Sequence, residues 1–197
     1  MTTLLGIIAL LIATISYGLY FRDIYRGRTK PHGFTWFIWA ILNGLIFYQQ
    51  LSYGAGPGAW ITGFAALANL FIFSISFTHG HRSITRFDWL CLGLSLVAVV
   101  VWIYSSDPAL SVILVSVVFL VGLFPTFRKS LISAHEETAI TYALNGTKFL
   151  IAIFALETLS LTTLLYPIVL VVANAFFAIF LFTRQSSALQ RGRSPAS

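Results

Sequence analysis

Charge is what this sequence has least of. Of its 197 residues only 9% are Asp, Glu, Lys or Arg, against roughly 25% in an average soluble domain. A conventional solvated surface is thereby excluded. Acids number six, and Asp23, Asp88 and Asp107 all fall at the ends of apolar runs or between them, so no pair of buried aspartates is available. The four histidines, His32, His79, His81 and His135, are placed likewise, which leaves no HExxH metal helix and no buried Ser-His pair. "HGH" offers two metal ligands without further partners and reads more simply as a helix end. A single cysteine, Cys91, rules out an internal disulfide. These absences predict no enzyme, no metal and no cofactor.

What is present is apolar: 58% of the residues are hydrophobic. A membrane span needs about 20 mostly apolar residues, and seven such runs can be marked, about 3–21, 34–52, 59–79, 89–104, 109–127, 138–156 and 163–183. The opening "MTTLLG" has no basic segment and no small-residue cleavage site after it, so the first run is expected to be a retained helix. The expected fold class is an all-α membrane protein with seven transmembrane helices, and its first partner is the lipid bilayer.

The net charge of +6 does not point to nucleic acid, because of where the cations sit. Arg22, Arg26, Arg28 and Lys30, then Arg82 and Arg86, then Arg128 and Lys129, then Arg184, Arg191 and Arg193 all fall on one side. The opposite connections, "GAGPG", "SSDP" and "TLSLT", contain none. The positive-inside rule then predicts an outside N-terminus and a cytoplasmic C-terminus; the expected membrane is the plasma (inner) one. Eleven of the twelve basic residues behave as topology markers, and the exception is Lys148.

The chain also repeats itself. "YGLYFRD" from Tyr17 aligns with "VGLFPTF" from Val121, "ILNG" from Ile41 with "ALNG" from Ala143, and "ALAN" from Ala66 with "VVAN" from Val171, at offsets of 104, 102 and 105 residues. A three-helix unit cannot be followed directly by a parallel copy, so the fourth run reads as the connector that returns the chain. The expected organisation is a three-helix bundle over 1–80, a linker helix over 81–105, a second bundle over 106–184 and a cytoplasmic tail over 185–197. Such parallel repeats are related by an axis along the membrane normal.

All four asparagines, Asn43, Asn69, Asn145 and Asn174, fall near the centres of runs and form two repeat-related pairs. An unpartnered amide in hydrocarbon costs several kcal/mol, so these amides must face the interior. They either glue helices together or form a central polar site; four at one depth favour the site. Trp39, Tyr142, Thr141 and Gln50 share the same helical faces, whereas Trp36 reads as an interfacial belt residue. Pro125, in the last turn and a half of the fifth run, is a candidate hinge; Pro167 is tolerated near its helix start. Lys148 has about Ile46 as its counterpart. A charged lysine at the bilayer centre costs at least about 2.5 kcal/mol, so it meets water or an anion, sheds its proton, or bonds neighbouring carbonyls and hydroxyls. A retinal protein would need a lysine in the seventh run, which has none.

The 3 + 1 + 3 layout resembles the SWEET sugar transporters and the wider PQ-loop superfamily over essentially the whole chain. That family likewise carries a membrane-central Asn in its third and seventh helices, matching Asn69 and Asn174. Pro125 in "LFPTFRKS" resembles the proline of the PQ motif, although Thr126 follows it and Phe21 is the first-half counterpart. The resemblance implies a transporter that moves a small solute by alternating access, with Asn69 and Asn174 in its site; the midplane residues themselves add Asn43, Asn145, Lys148, Trp39 and Tyr142 to the expected site and a polar or anionic solute as its cargo. The alternative is a receptor that binds a ligand or peptide in the central cavity without carrying it, as the KDEL receptors, similar in fold, do. A homo-oligomer is left open.

Overall fold

A computed structural model describes residues 1–105 and 107–191, with no strand among them. Seven α-helices form: α1 (Thr2–Tyr25), α2 (Gly33–Ser52), α3 (Trp60–His79), α4 (Arg86–Tyr104), α5 (Pro108–Ser133), α6 (Ala139–Phe154) and α7 (Leu161–Arg191). Short 3₁₀ turns at Gly56–Ala59 and Ala134–Glu136 lead into α3 and α6. Each of the seven predicted runs is thus a helix, and five of them, α1 and α3 to α5 together with α7, are long and apolar enough to cross a membrane. The other two differ for local reasons. Asn43, Gln49 and Gln50 dilute α2, while α6 has 16 residues, about 24 Å of helix against a hydrocarbon core of about 30 Å.

Local chemistry sets the helix starts. Asp107 accepts from the backbone N–H groups of Ala109 (2.8 Å) and Leu110 (3.2 Å), with Pro108 at the first helical position. Thr85 and Asp88 form a reciprocal capping box at α4. Two helices outrun their predicted ends. α5 continues to Ser133, so Pro125 lies in the helix interior and not in its last turns; α7 continues to Arg191, taking up most of the predicted tail. Residues 192–197, including Arg193, lie outside the described residues.

The packing pairs α1 with α3 and α6, α5 with α7 and α2, α2 with α3, and α6 with α7. Exchanging α1, α2 and α3 for α5, α6 and α7 returns the same set of pairs. Only α4 has no counterpart: it lies mainly on α5, with a lesser contact to α2. Outward faces carry Leu11, Leu67, Phe71, Val97, Phe124, Val172, Phe176 and Ile179, all more than half exposed or nearly so, while amides, hydroxyls and two lysines are buried inside. This apolar-outside arrangement is compatible with a multi-pass membrane protein.

The connections gather at two ends. At one, Thr158 Oγ1 donates to the Gly54 carbonyl (3.1 Å), the Glu157 N–H to the Ala55 carbonyl (3.2 Å) and Gln49 Nε2 to the Pro108 carbonyl (3.2 Å). Gly58 is needed here, because an added Cβ would stand 2.9 Å from the Ala152 carbonyl oxygen, a backbone atom that cannot swing away. The opposite end holds the basic segments.

Candidate functional site: two buried polar layers

Near mid-height, α1 is the hub. Tyr17 Oη donates to Asn69 Oδ1 on α3 (3.0 Å), and Ser16 Oγ donates to Asn145 Oδ1 (3.2 Å) and the Thr141 carbonyl (3.1 Å) on α6. One turn beyond Asn145, Lys148 Nζ stands 4.1 Å from the centroid of the Tyr17 ring and 5.2 Å from that of Phe149. Lys148 is fully buried, and its side-chain nitrogen has no hydrogen-bond partner. Asn69, Asn145 and Lys148 therefore meet around Ser16 and Tyr17.

The other two asparagines are placed differently. Asn43 Nδ2 donates to the Trp39 carbonyl and Asn174 Nδ2 to the Leu170 carbonyl, each 2.8 Å away and one turn back in its own helix. The repeat explains why. The counterparts of Ser16 and Tyr17 on α5 are Leu120 and Val121, which offer no hydroxyl, so these amides turn to their own backbones. Asn174 still borders the first group, since an added Cβ at Gly146, beside Asn145, would lie 3.7 Å from its Cβ. Trp39 Nε1 donates to the Phe119 carbonyl (3.2 Å), and its ring stacks on Phe119 at 4.9 Å and 17°. Trp36 is buried between Tyr20 (4.9 Å) and Trp39 (5.3 Å), so the belt position expected for it is overturned by inter-helix packing. Tyr142, expected beside Asn145, instead directs its hydroxyl to Glu137.

Glu137 belongs to a second layer, at the basic end. Its Oε2 accepts from Tyr20 (3.1 Å) and Tyr142 (3.0 Å), and its Oε1 pairs with Lys129. Lys129 Nζ also donates to the carbonyls of Lys30 (2.7 Å) and Glu136 (3.2 Å). Both side chains of the pair are wholly buried. One residue away, Arg128 forks onto Asp88 through Nε (3.2 Å) and Nη2 (2.7 Å). Thr138 Oγ1 donates to Asp23 (3.1 Å), and Lys30 Nζ meets Glu136 at 2.5 Å. The layer ties α1, α4, α5, α6 and the 26–32 segment together.

This layer adds burial to two positions that the sequence places at helix ends. Lys129, counted among the topology markers, is a second buried lysine, because Glu137 folds back over it from the next connection. His32, which the sequence places at the end of an apolar run, precedes α2 and is buried 3.5 Å from Asp88, with neither ring nitrogen hydrogen-bonded. The signal for Lys129 was "FRKSLISAHEE", in which two acids follow two bases across one short turn; reading loops for cations alone passes over the acids. Among the described residues, no group of three or more His, Cys, Asp or Glu converges as metal ligands.

Burial is the main influence on His32, lowering its pKa from 6.5 to about 4; Asp88 opposes the shift, while Lys129 and His81 add to it. Burial lowers His81 as well, with Lys129 in the same direction and Glu136 opposing. An unfolded chain therefore takes up protons below about pH 6.5 that the folded chain refuses. Stability should be complete above that value and fall as pH drops toward 4, by on the order of 3 kcal/mol for a shift of His32's size. Melting temperatures in detergent across this window should show the fall, and His32→Leu should flatten most of it. An equal fall in His32→Leu would assign the slope elsewhere.

Compared with known proteins, the chain matches no family model, no curated protein and no solved structure.

Proposed function

We propose that this chain is a SWEET/PQ-loop-like membrane transporter that moves a small polar or anionic solute by alternating access through a midplane site. The observation that carries the reading is the buried layer of Asn69, Asn145, Asn174 and Lys148 between helices of the two sequence repeats. Polar groups at that depth are expensive and sit where repeat-built transporters bind their cargo. In this reading α1–α3 and α5–α7 are the two parallel bundles, α4 is the linker, and all seven helices span the bilayer. The short α6 is accommodated by local thinning of the bilayer at modest cost. The N-terminus is outside and the C-terminus cytoplasmic, in the plasma (inner) membrane, so the Lys129–Glu137 layer closes the cytoplasmic end. Rocking of the bundles would open that layer, and Pro125, which leaves the Val121 carbonyl without its helical donor, would ease the bending of α5.

The test is uptake of radiolabelled small solutes into proteoliposomes. Asn69→Ala and Asn174→Ala should each reduce uptake at least about tenfold, the effect of losing a hydrogen bond of about 1.5 kcal/mol. Uptake indifferent to both would sink the proposal. Saturable binding without any flux would convert it to the receptor reading.

A further inference from the structure

Lys148 has no counter-ion anywhere in the described interior. All six acids lie at helix ends or in connections. Glu137 is eleven residues before Lys148, about 16 Å along a helix axis, and is already engaged by Lys129, Tyr20 and Tyr142. Glu157, on the other side, accepts from Thr2 Oγ1 (3.4 Å). The neighbours of the ammonium are ring faces and the Tyr17–Asn69 pair. Tyr17 has committed its hydroxyl hydrogen to Asn69, so what Lys148 faces is a cation-attracting surface with no anion on it.

The repeat makes the other half of the interior apolar at the corresponding places. Ile46 stands opposite Lys148 in the alignment, and Leu120 and Val121 stand opposite Ser16 and Tyr17. What that half offers is flat: Trp39 stacked on Phe119, with Tyr166 edge-on to Phe119 at 5.9 Å. The hydroxyl of Tyr166 is buried there without a partner. One half presents Lys148 with Asn69 and Asn145, the other the Trp39–Phe119 stack with Asn43 one turn away, whose Oδ1 is buried without a partner.

From this asymmetry we infer that the site takes a small carboxylate-bearing solute with a flat apolar body, its carboxylate received by Lys148 and its body laid against Trp39 and Phe119. The inference rests on the proposed transport reading only in that the site must be reachable from outside. A carboxylate supplies the charge the chain withholds, and a charge-assisted hydrogen bond of about 1.5–3 kcal/mol would form where none exists. A sugar, uncharged and without a flat apolar face of that kind, would leave Lys148 unmatched.

Benzoate and benzamide make the decisive probes, being alike in shape and different in charge. In detergent at neutral pH, tryptophan emission and melting temperature would report binding to the wild-type protein and to Lys148→Met. Benzoate should bind the wild type at least about tenfold more tightly than benzamide, acetate should bind more weakly than benzoate, and Lys148→Met should lose the preference for acid over amide. Equal affinities, no binding of benzoate, or a preference that survives in Lys148→Met would each overturn the inference. The comparison of acid and amide on the wild type needs no variant to fold. Counterflow of labelled benzoate in alkaline proteoliposomes, where the permeable acid form is scarce, judges the transport reading separately. Binding without counterflow removes transport and leaves the carboxylate site; saturable benzamide flux with no benzoate preference does the reverse.

Discussion

Glu137→Leu is expected to destabilise the protein by about 3–5 kcal/mol, the cost of leaving a buried charge without its partner. The carboxylate it removes satisfies three donors at once, Lys129, Tyr20 and Tyr142. Without it, Lys129 keeps only the carbonyls of Lys30 and Glu136, and the two phenols keep none of the partners described above. Lys129→Met should also be costly, since it strands the carboxylate with two phenol donors. The double variant should cost less than the sum of the singles, and less than Glu137→Leu alone, because a buried ion pair is close to break-even against apolar side chains of similar volume. Unfolding of the four proteins in mixed micelles gives the coupling directly. If Glu137→Leu costs under about 1 kcal/mol, a surface-like pair is indicated and the burial argument fails. The layer also joins helices of both repeats, α1 to α5 and α6, so the same measurement gauges how firmly the basic end is held together.

Much of this architecture was legible in the sequence because one signal dominates it. Long apolar runs interrupted by short polar connections give all seven helices and most of their starts, and the placement of Lys and Arg separates the two ends. The misreadings have a common cause. Hydropathy is a property of a stretch, whereas the lengths of α5 and α7 depend on what their polar ends touch: Lys129 is held inside by Glu137, and Gln185 Nε2 donates to the carbonyls of Ala134 (2.9 Å) and Glu137 (2.8 Å). α2 was marked as a span like the others, yet Asn43, Gln49 and Gln50 carry it below the apolarity of a free-standing one. Its polar residues are buried against other helices, a tertiary fact that no window along one helix contains. The central amides were legible as residues and as a depth. Their inequality was not: that Asn69 and Asn145 are cross-linked to α1, while Asn43 and Asn174 turn to their own backbones, follows from Leu120 and Val121 standing in the second repeat where Ser16 and Tyr17 stand in the first. Short, offset alignments show which positions correspond but not which hydroxyl reaches which amide.

Lys148→Met should raise stability, in contrast with almost any other substitution of a fully buried residue. A lysine charge held inside a membrane protein costs at least about 2.5–3.5 kcal/mol. The ring of Tyr17, 4.1 Å below the nitrogen, returns about 0.5–2 kcal/mol as a cation–π contact, and no hydrogen bond returns more. Methionine fills a similar volume, adapts to an irregular gap and keeps a favourable contact between sulfur and ring. The net gain expected is about 0.5–3 kcal/mol, read as a higher melting temperature in detergent at neutral pH. A lysine held in by contacts worth more than the cost of its charge would give the opposite sign, because methionine would lose those contacts and relieve little. Flux and stability should therefore move apart: Lys148→Met more stable and poorer in uptake of anionic solutes, as happens when a destabilising group is kept for function. A variant less stable than the wild type, with uptake unchanged, would return Lys148 to a structural role and leave the asparagine layer to account for the site alone.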